Sequence, residues 1–111
     1  MAKNRNDASK AKQQTDEQLR HMTANYFSMI SLVDHNVGRI LSALQDQGLT
    51  ENTIIVYTSD HGMAIGRHGL QGKQNLYEHT WRVPLIVRGP GIPASARAQG
   101  NVYLLDLLAT L

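Results

Sequence analysis

The residues best suited to chemistry form a short run, Ser59-Asp60-His61-Gly62, which follows an apolar stretch in this 111-residue chain. A carboxylate and an imidazole are both common metal ligands, so Asp60 and His61 can hold a divalent cation. Lys73 follows after a glycine-rich segment and can reach an anionic group as a point charge. A metal ion beside a lysine suits an oxyanion such as sulfate or phosphate. The alternative is structural: Asp60 caps the following turn, and local hydrogen bonds satisfy His61.

Other polar residues lie near this run or on the helix before it. His68 could line the substrate entrance, although a hydrogen bond within the loop explains it equally well. Glu78 and Arg82 are one helical turn apart, and we expect an ion pair that positions the Lys73 loop in preference to a catalytic role. Asp34 lies between apolar neighbours of a predicted helix, which favours a buried hydrogen-bonding role.

The apolar spacing upstream predicts a long helix that must support these residues. Between residues 26 and 44, apolar side chains recur one, three or four positions apart, which places them on one face of an α-helix. We predict this helix from about residue 22 to 47, ended by Gly48 in a left-handed conformation. Residues 1–18 are polar throughout and are predicted to form a loop or a disordered arm.

Two apolar runs, 53–58 and 83–88, predict strands. A run with little alternation suits a strand buried on both faces, as in a parallel α/β sheet, where ligands bind at the carboxyl edge. Shorter helices are predicted at 76–81 and 102–111. One long helix and two short ones are too few to cover both faces of a sheet that contains these two strands. Residues 19–111 are therefore predicted to form an incomplete α/β unit that belongs to a larger domain or needs a partner.

The composition excludes several classes of protein. The chain has no cysteine, which removes disulfides, thiolate zinc sites and cysteine nucleophiles. A net charge of +2 and 5% aromatic residues do not make a nucleic-acid-binding surface. No apolar run approaches the roughly 20 residues of a membrane span, and the polar start shows no signal peptide. We expect no nucleic-acid or membrane partner, and the compartment stays unknown.

A series of motifs runs through most of the chain in a recognisable order. They occupy residues 26–34, 37–41, 52–62, 66, 68–69, 73, 76–78, 82–87, 90–91 and 105–111. In this order and spacing they closely resemble the carboxyl-terminal part of the sulfatase catalytic domain, in the alkaline phosphatase superfamily. The resemblance implies an α/β fold in which this chain forms part of an alkaline-phosphatase-like mixed sheet flanked by helices.

The resemblance also implies roles for individual residues. In sulfatases the aspartate of a Ser-Asp-His/Asn-Gly motif ligates a divalent metal, usually calcium, and Asp60 stands at that position. His61 stands where the family has a second residue on the metal. Because imidazole suits manganese or zinc better than calcium, manganese or another divalent ion is an alternative. Lys73 matches a lysine that contacts the sulfate or the ester oxygen, where it would stabilise developing charge. His68 is a weaker candidate for substrate contact.

Several parts of the family pattern have no counterpart here. Sulfatases attack sulfur with a formylglycine made from the Cys or Ser of a Cys/Ser-x-Pro-x-Arg motif. This chain has no cysteine, and none of its three prolines lies in a Ser-x-Pro-x-Arg run. The family's amino-terminal aspartate pair and its upstream Lys and His are also missing. Formylglycine is therefore expected in a full-length parent, and the chain alone is expected to bind metal weakly and to be inactive.

Three functions stay open at this point. The first is a fragment of a sulfatase-like hydrolase that contributes Asp60, His61 and Lys73 to sulfuric ester hydrolysis. The second changes the substrate to a phosphonate monoester or a phosphodiester, because hydrolases of that kind in the same superfamily have a similar Asp-His-Gly motif and lysine. The third is a non-catalytic assembly module whose uncovered apolar surface drives self-association.

Overall fold

The computed structural model describes residues 14–110. Two 3₁₀ turns accompany the helices and strands, at Thr50–Asn52 and Arg67–Gly69. Most of the predicted polar arm, residues 1–13, lies outside the described residues, and its last three residues, 16–18, belong to the first helix. The regular elements, in chain order, are α1 (Asp16–Asp46), β1 (Ile55–Thr58), β2 (Ala64–Ile65), β3 (Gln71–Gly72), α2 (Glu78–Trp81), β4 (Leu85–Arg88) and α3 (Leu104–Thr110).

The first helix, α1, begins at Asp16, earlier than the predicted residue 22, because its start carries a capping box. The Thr15 Oγ1 atom accepts a hydrogen bond from the Gln18 backbone N–H at 3.3 Å. In return, the Gln18 Oε1 atom accepts one from the Thr15 backbone N–H at 3.0 Å. This exchange satisfies two donors that a helix start otherwise leaves unpaired, so the polar residues 16–18 enter the helix.

The end of α1 agrees with the sequence prediction. Gly48 adopts the left-handed conformation with a φ of 68°. Its N–H donates to the Gln45 carbonyl at 3.0 Å, and the Leu49 N–H donates to the Leu44 carbonyl at 2.9 Å. These two bonds form a Schellman motif, which satisfies carbonyls in the last helical turn.

β1 and β4 form a two-stranded antiparallel sheet, in which Ile55 lies opposite Arg88 and Thr58 opposite Leu85. The expectation of parallel pairing is therefore wrong for these strands. An unalternating apolar run does not specify strand direction, and the link between them has no long helix to carry the chain back for a parallel crossover. The expectation of burial on both faces is also wrong, because all four residues of β4 are exposed.

β2 and β3 form a small antiparallel hairpin that rests against the amino-terminal half of α1. Its turn contains Gly66 at a φ of 77°, and a Cβ atom there would collide with the Leu19 side chain of α1. Next to it, the Gln71 Nε2 atom lies 3.8 Å from the Met22 sulfur. The hairpin is thus placed by close contact with the helix.

Burial is confined to the segment around this hairpin and α2. Within residues 14–110, the buried positions are Ala64, at 2% exposure, and Thr80, at 4%. Asp34 lies on the exposed surface of α1, so the predicted buried role for it is wrong. Helices combined with two small antiparallel sheets are compatible with the α/β class. Among the described helices, none has the length and apolar character needed to cross a membrane.

Candidate metal and anion site

Asp60 and His61 lie in the turn that directly follows β1, where the sequence predicted a ligand site. The Asp60 Oδ1 atom accepts a hydrogen bond from the His61 backbone N–H at 2.9 Å. The Ser59 hydroxyl donates to the His61 carbonyl at 2.8 Å. These local bonds fit the structural alternative for one carboxylate oxygen, and they hold both side chains at the end of the strand.

The other two polar atoms of the pair, His61 Nε2 and Asp60 Oδ2, lie close together. The His61 Nδ1 atom lies 2.9 Å from the Gly62 carbonyl oxygen, which can only accept, so Nδ1 carries the proton. The neutral ring therefore has its lone pair on Nε2. That Nε2 atom lies 3.3 Å from the Asp60 Oδ2 atom. Two potential metal ligands this close together can bind a single cation.

Hydrogen bonds and charges nearby lower the pKa of Asp60. Desolvation by surrounding atoms raises the pKa of Asp60, but the His61 backbone N–H, the positive charge that the His61 ring has when protonated, the Asp60 backbone N–H and the Lys73 ammonium group together lower it by more. The resulting pKa lies below the ordinary value of an aspartate, so the carboxylate is charged at neutral pH. The effect of Lys73 is the smallest of these, and no ion pair joins Lys73 to Asp60 among the described residues.

The donor set fits a divalent cation only in part. One carboxylate and one imidazole suit manganese or zinc better than calcium, which takes six to eight oxygen ligands. No cluster of three or more His, Asp or Glu side chains suitable for a metal occurs in the part of the chain that the structure describes. Asp60 and His61 can therefore supply two ligands, and a complete coordination shell needs further donors.

Gly62 attaches the Asp60–His61 turn to α2. Its backbone N–H donates a hydrogen bond to the Thr80 carbonyl. A Cβ atom at this position would overlap the His79 carbonyl oxygen, so only glycine allows the two backbones to approach this closely. The turn that carries the candidate ligands is thereby attached to Thr80 of α2, eighteen residues further along the chain.

Lys73 follows β3 directly and is exposed. Its backbone carbonyl accepts a hydrogen bond from the Asn75 N–H at 3.0 Å. The Asn75 Oδ1 atom in turn accepts hydrogen bonds from the Thr80 hydroxyl at 2.8 Å and from the Tyr77 N–H at 3.2 Å. The same α2 residue, Thr80, thus contacts both the Lys73 segment and Gly62.

His68 belongs to a cluster of three aromatic rings. Its ring stacks on Tyr77, with centroids 4.2 Å apart, and lies 5.7 Å from the ring of His79. His68 also has the left-handed φ of 55°, which is uncommon outside glycine. This ring stack attaches the glycine-rich loop to α2. It favours a role for His68 in holding the loop over direct contact with substrate.

The predicted ion pair between Glu78 and Arg82 is confirmed, with a distance of 3.3 Å between Oε2 and Nη1. Both side chains are more than two-thirds exposed, so the pair contributes little to stability. It links the first residue of α2 to Arg82, the residue directly after the helix, and does not reach Lys73. The contacts that do reach the Lys73 segment come from Asn75 and Thr80.

Asn75 and Thr80 were not predicted from the sequence. Asn75 had a local signal, since an asparagine two residues before a backbone N–H commonly bonds to it at the start of a helix. Thr80 had none, because its burial and its two partners depend on residues from separate parts of the chain.

A family model and several curated relatives that match this chain are all named as sulfatases. A family model described as Sulfatase matches residues 2–111. Arylsulfatase K of Bos taurus is 36% identical over 97 residues, which cover 87% of this chain and 18% of the relative. Arylsulfatase K of Gallus gallus is 39% identical over the same shares. Iduronate 2-sulfatase of Mus musculus is 44% identical over 82 residues, or 74% of this chain and 15% of the relative. The chain spans less than a fifth of these curated relatives.

Proposed function

Because the chain belongs to the sulfatase family, we propose that its function is to contribute part of the active site of a sulfate-ester hydrolase. In this proposal β1 and β4 belong to an alkaline-phosphatase-like mixed sheet, and the helices flank that sheet. The relatives that it matches are named as sulfatases, which favours a sulfate ester over a phosphate or phosphonate ester as the substrate.

Asp60 and His61 are the proposed metal ligands. The observation that carries this assignment is the 3.3 Å separation of His61 Nε2 and Asp60 Oδ2, with the proton held on Nδ1 by Gly62. Both atoms then carry a lone pair, and their separation allows them to bind one cation. A divalent cation bound there would polarise a sulfate oxygen and neutralise negative charge. Calcium is the metal implied by family resemblance, and manganese suits the imidazole better.

Lys73 is the proposed catalytic cation. The assignment is supported by the position of Lys73 directly after β3 in the glycine-rich loop and by the small lowering that its ammonium group contributes to the pKa of Asp60. In hydrolysis, a fixed positive charge stabilises the negative charge that develops on the leaving oxygen. His68 is a weaker candidate for substrate contact, because its ring is engaged with Tyr77.

We propose that the chain alone binds the metal and sulfate but does not hydrolyse a sulfate ester. It contains neither cysteine nor a Ser-x-Pro-x-Arg motif, and so it carries no precursor of the formylglycine nucleophile. We expect no hydrolysis of an aryl sulfate by the purified 111-residue chain. Hydrolysis at enzymatic rates would contradict the assignment of a missing nucleophile.

Calorimetric titration with Mn²⁺ and Ca²⁺ tests the ligand assignment. We expect Asp60→Asn to weaken binding by about tenfold or more, because an amide oxygen lacks the carboxylate charge. Asp34→Asn is the matched control, since Asp34 is an exposed aspartate on α1 outside the site. Equal affinities for the wild-type chain and Asp60→Asn would refute the assignment, as would equal weakening by the two variants.

A second titration, in which Mn²⁺ is held constant, distinguishes the anion. Lys73→Met keeps the length of the side chain and removes its charge. We expect inorganic sulfate to bind the wild-type chain more tightly than this variant. Binding of phosphate in clear preference to sulfate would favour a phosphate- or phosphonate-ester substrate instead.

A further inference from the structure

The position of the Lys73 ammonium group is set by the backbone on either side of it. The Lys73 side chain is exposed, and no ion pair holds it among residues 14–110. Before Lys73, the chain is held by β3, which pairs with β2. After Lys73, the contacts that hold the chain are made by Asn75.

Three hydrogen bonds of Asn75 hold the segment that follows Lys73. The Asn75 Oδ1 atom accepts one from the Thr80 hydroxyl at 2.8 Å and one from the Tyr77 N–H at 3.2 Å. The Asn75 N–H donates the third to the Lys73 carbonyl at 3.0 Å. This last bond closes the turn between Lys73 and Asn75, which only one residue separates. Fixing Asn75 therefore leaves the Lys73 backbone little freedom.

The α2 residue that Asn75 contacts is itself firmly held. Thr80 is only 4% exposed, and its N–H donates to the Tyr77 carbonyl at 2.8 Å. Separately, the Thr80 carbonyl accepts a hydrogen bond from the N–H of Gly62, which follows the two candidate metal ligands. Hydrogen bonds shielded from solvent meet less competition from water. Asn75 is thus bonded to the same residue that holds the Asp60–His61 turn.

Stacked rings close the loop that carries Lys73. His68, which precedes Lys73, stacks on Tyr77, which follows it, with ring centroids 4.2 Å apart. The N–H of the same tyrosine is bonded to the Asn75 side chain. Lys73 therefore lies on a loop whose two ends meet, and Asn75 holds the second of these ends.

We propose that Asn75 is a positioning residue for Lys73. Its side-chain oxygen attaches the backbone two residues beyond the lysine to α2, and this limits where the ammonium group can lie when it meets an anion. A cation that is held in place stabilises an oxyanion better than a mobile one, because no reorganisation is needed. The inference rests on the proposed function for the anion and for the role of Lys73.

Amide hydrogen exchange of the full chain, without metal or anion, tests the attachment. We expect Asn75→Ala to speed exchange at the N–H of residue 75, which bonds to the Lys73 carbonyl, by about five- to tenfold. The amide of Ile40 on α1 should keep its rate. Asn75→Asp keeps an acceptor oxygen and should restore slow exchange. Asn36→Ala is the matched control, because the Asn36 side chain donates to the Leu32 carbonyl at 3.0 Å, outside the site.

A double-mutant cycle on the binding of inorganic sulfate separates positioning of Lys73 from general support of the fold. With Mn²⁺ held constant, we expect Asn75→Ala to weaken sulfate binding by roughly three- to tenfold. In the Lys73→Met background the same change should have little effect, because the charge that Asn75 positions is already gone. Equal weakening in both backgrounds would overturn the positioning role, since Asn75 would then support only the fold.

If Asn75→Ala loses its helical circular dichroism, Thr80→Val takes its place in both experiments. Valine has nearly the volume of threonine, and this change removes only the bond from the Thr80 hydroxyl to the Asn75 oxygen. The bond from the Tyr77 N–H to Asn75 and the backbone bond of Thr80 stay in place. Smaller changes in the same direction would support the positioning role, and unchanged exchange and sulfate affinity would overturn it.

Failure of the proposed function and failure of this inference give different results. Equal sulfate affinities for the wild-type chain and Lys73→Met would overturn the assignment of Lys73, and with it the inference that rests on that assignment. Weaker binding by Lys73→Met, together with unchanged exchange and unchanged sulfate affinity in Asn75→Ala, would overturn the positioning role alone and support the assignment of Lys73.

Discussion

The segment from Ser59 to Trp81 and the helix α1 differ in how many of their side chains are covered by other parts of this chain. The first holds the two buried residues of the described chain, Ala64 and Thr80, and joins its loops by hydrogen bonds and stacked rings. In contrast, α1 has no buried residue, and its apolar side chains Met29 and Ile40 are 59% and 62% exposed.

This difference separates the site from its scaffold. The candidate ligands are positioned by contacts over about twenty residues, which this chain supplies itself. The helix has the apolar face of a buried element, but nothing in residues 14–110 covers most of it. We therefore expect changes inside the segment to act on the site and changes on α1 to act on association.

The largest expected effect comes from two glycines, one in each region. Gly62→Ala places a methyl group against the His79 carbonyl and should lower the free energy of unfolding by about 1–3 kcal/mol. Gly38→Ala on α1 meets no atom within 4 Å and should raise it by about 0.5–1 kcal/mol, since alanine favours a helix. Urea titration measures both. Equal and small effects at the two positions would show that the segment is not closely packed.

The next effect concerns self-association through the apolar face of α1. Ile40→Glu introduces a charge on this face, and we expect it to raise the dissociation constant of the associated chain by about tenfold. Leu32→Glu is the matched control, because Leu32 is also 62% exposed but lies off the apolar stripe. Sedimentation velocity provides the measurement. A wild-type chain that is monomeric at all concentrations would contradict this use of the face.

The smallest effect is expected for the ion pair on α2. Glu78→Gln removes the pair with Arg82, and we expect a loss of only about 0.3 kcal/mol, because both side chains are solvated. Urea titration measures this loss. A large loss of stability would give this exposed pair a part in holding the segment that its contacts do not indicate.

Much of the fold could be predicted because its signals are local. The apolar stripe and Gly48 indicated the helix and its end, and two apolar runs indicated β1 and β4. The start of α1 was missed although the sequence Thr15-Asp16-Glu17-Gln18 has the spacing of a capping box. The direction of pairing was wrong because an apolar run describes the surroundings of a strand and not its partner.

The candidate site also has a part that the sequence predicts and a part that it does not. Asp60, His61 and Lys73 were identifiable because their types and positions follow a strand and a glycine-rich loop. The contacts of Thr80 with Asn75 and Gly62 were not, because they join positions up to eighteen residues apart by one side chain and one backbone group. Threonine is common on surfaces, so its type alone does not indicate a buried connection.

The most direct test of the account is the line broadening that Mn²⁺ produces in the amide NMR spectrum of the wild-type chain. The first amides to broaden should be those of Asp60, His61 and Lys73, and Asp60→Asn should remove this effect. The paramagnetic ion would then lie between the turn after β1 and the lysine. Early broadening at α1, or broadening of Asp60 and His61 without Lys73, would contradict the claim that these residues form one site.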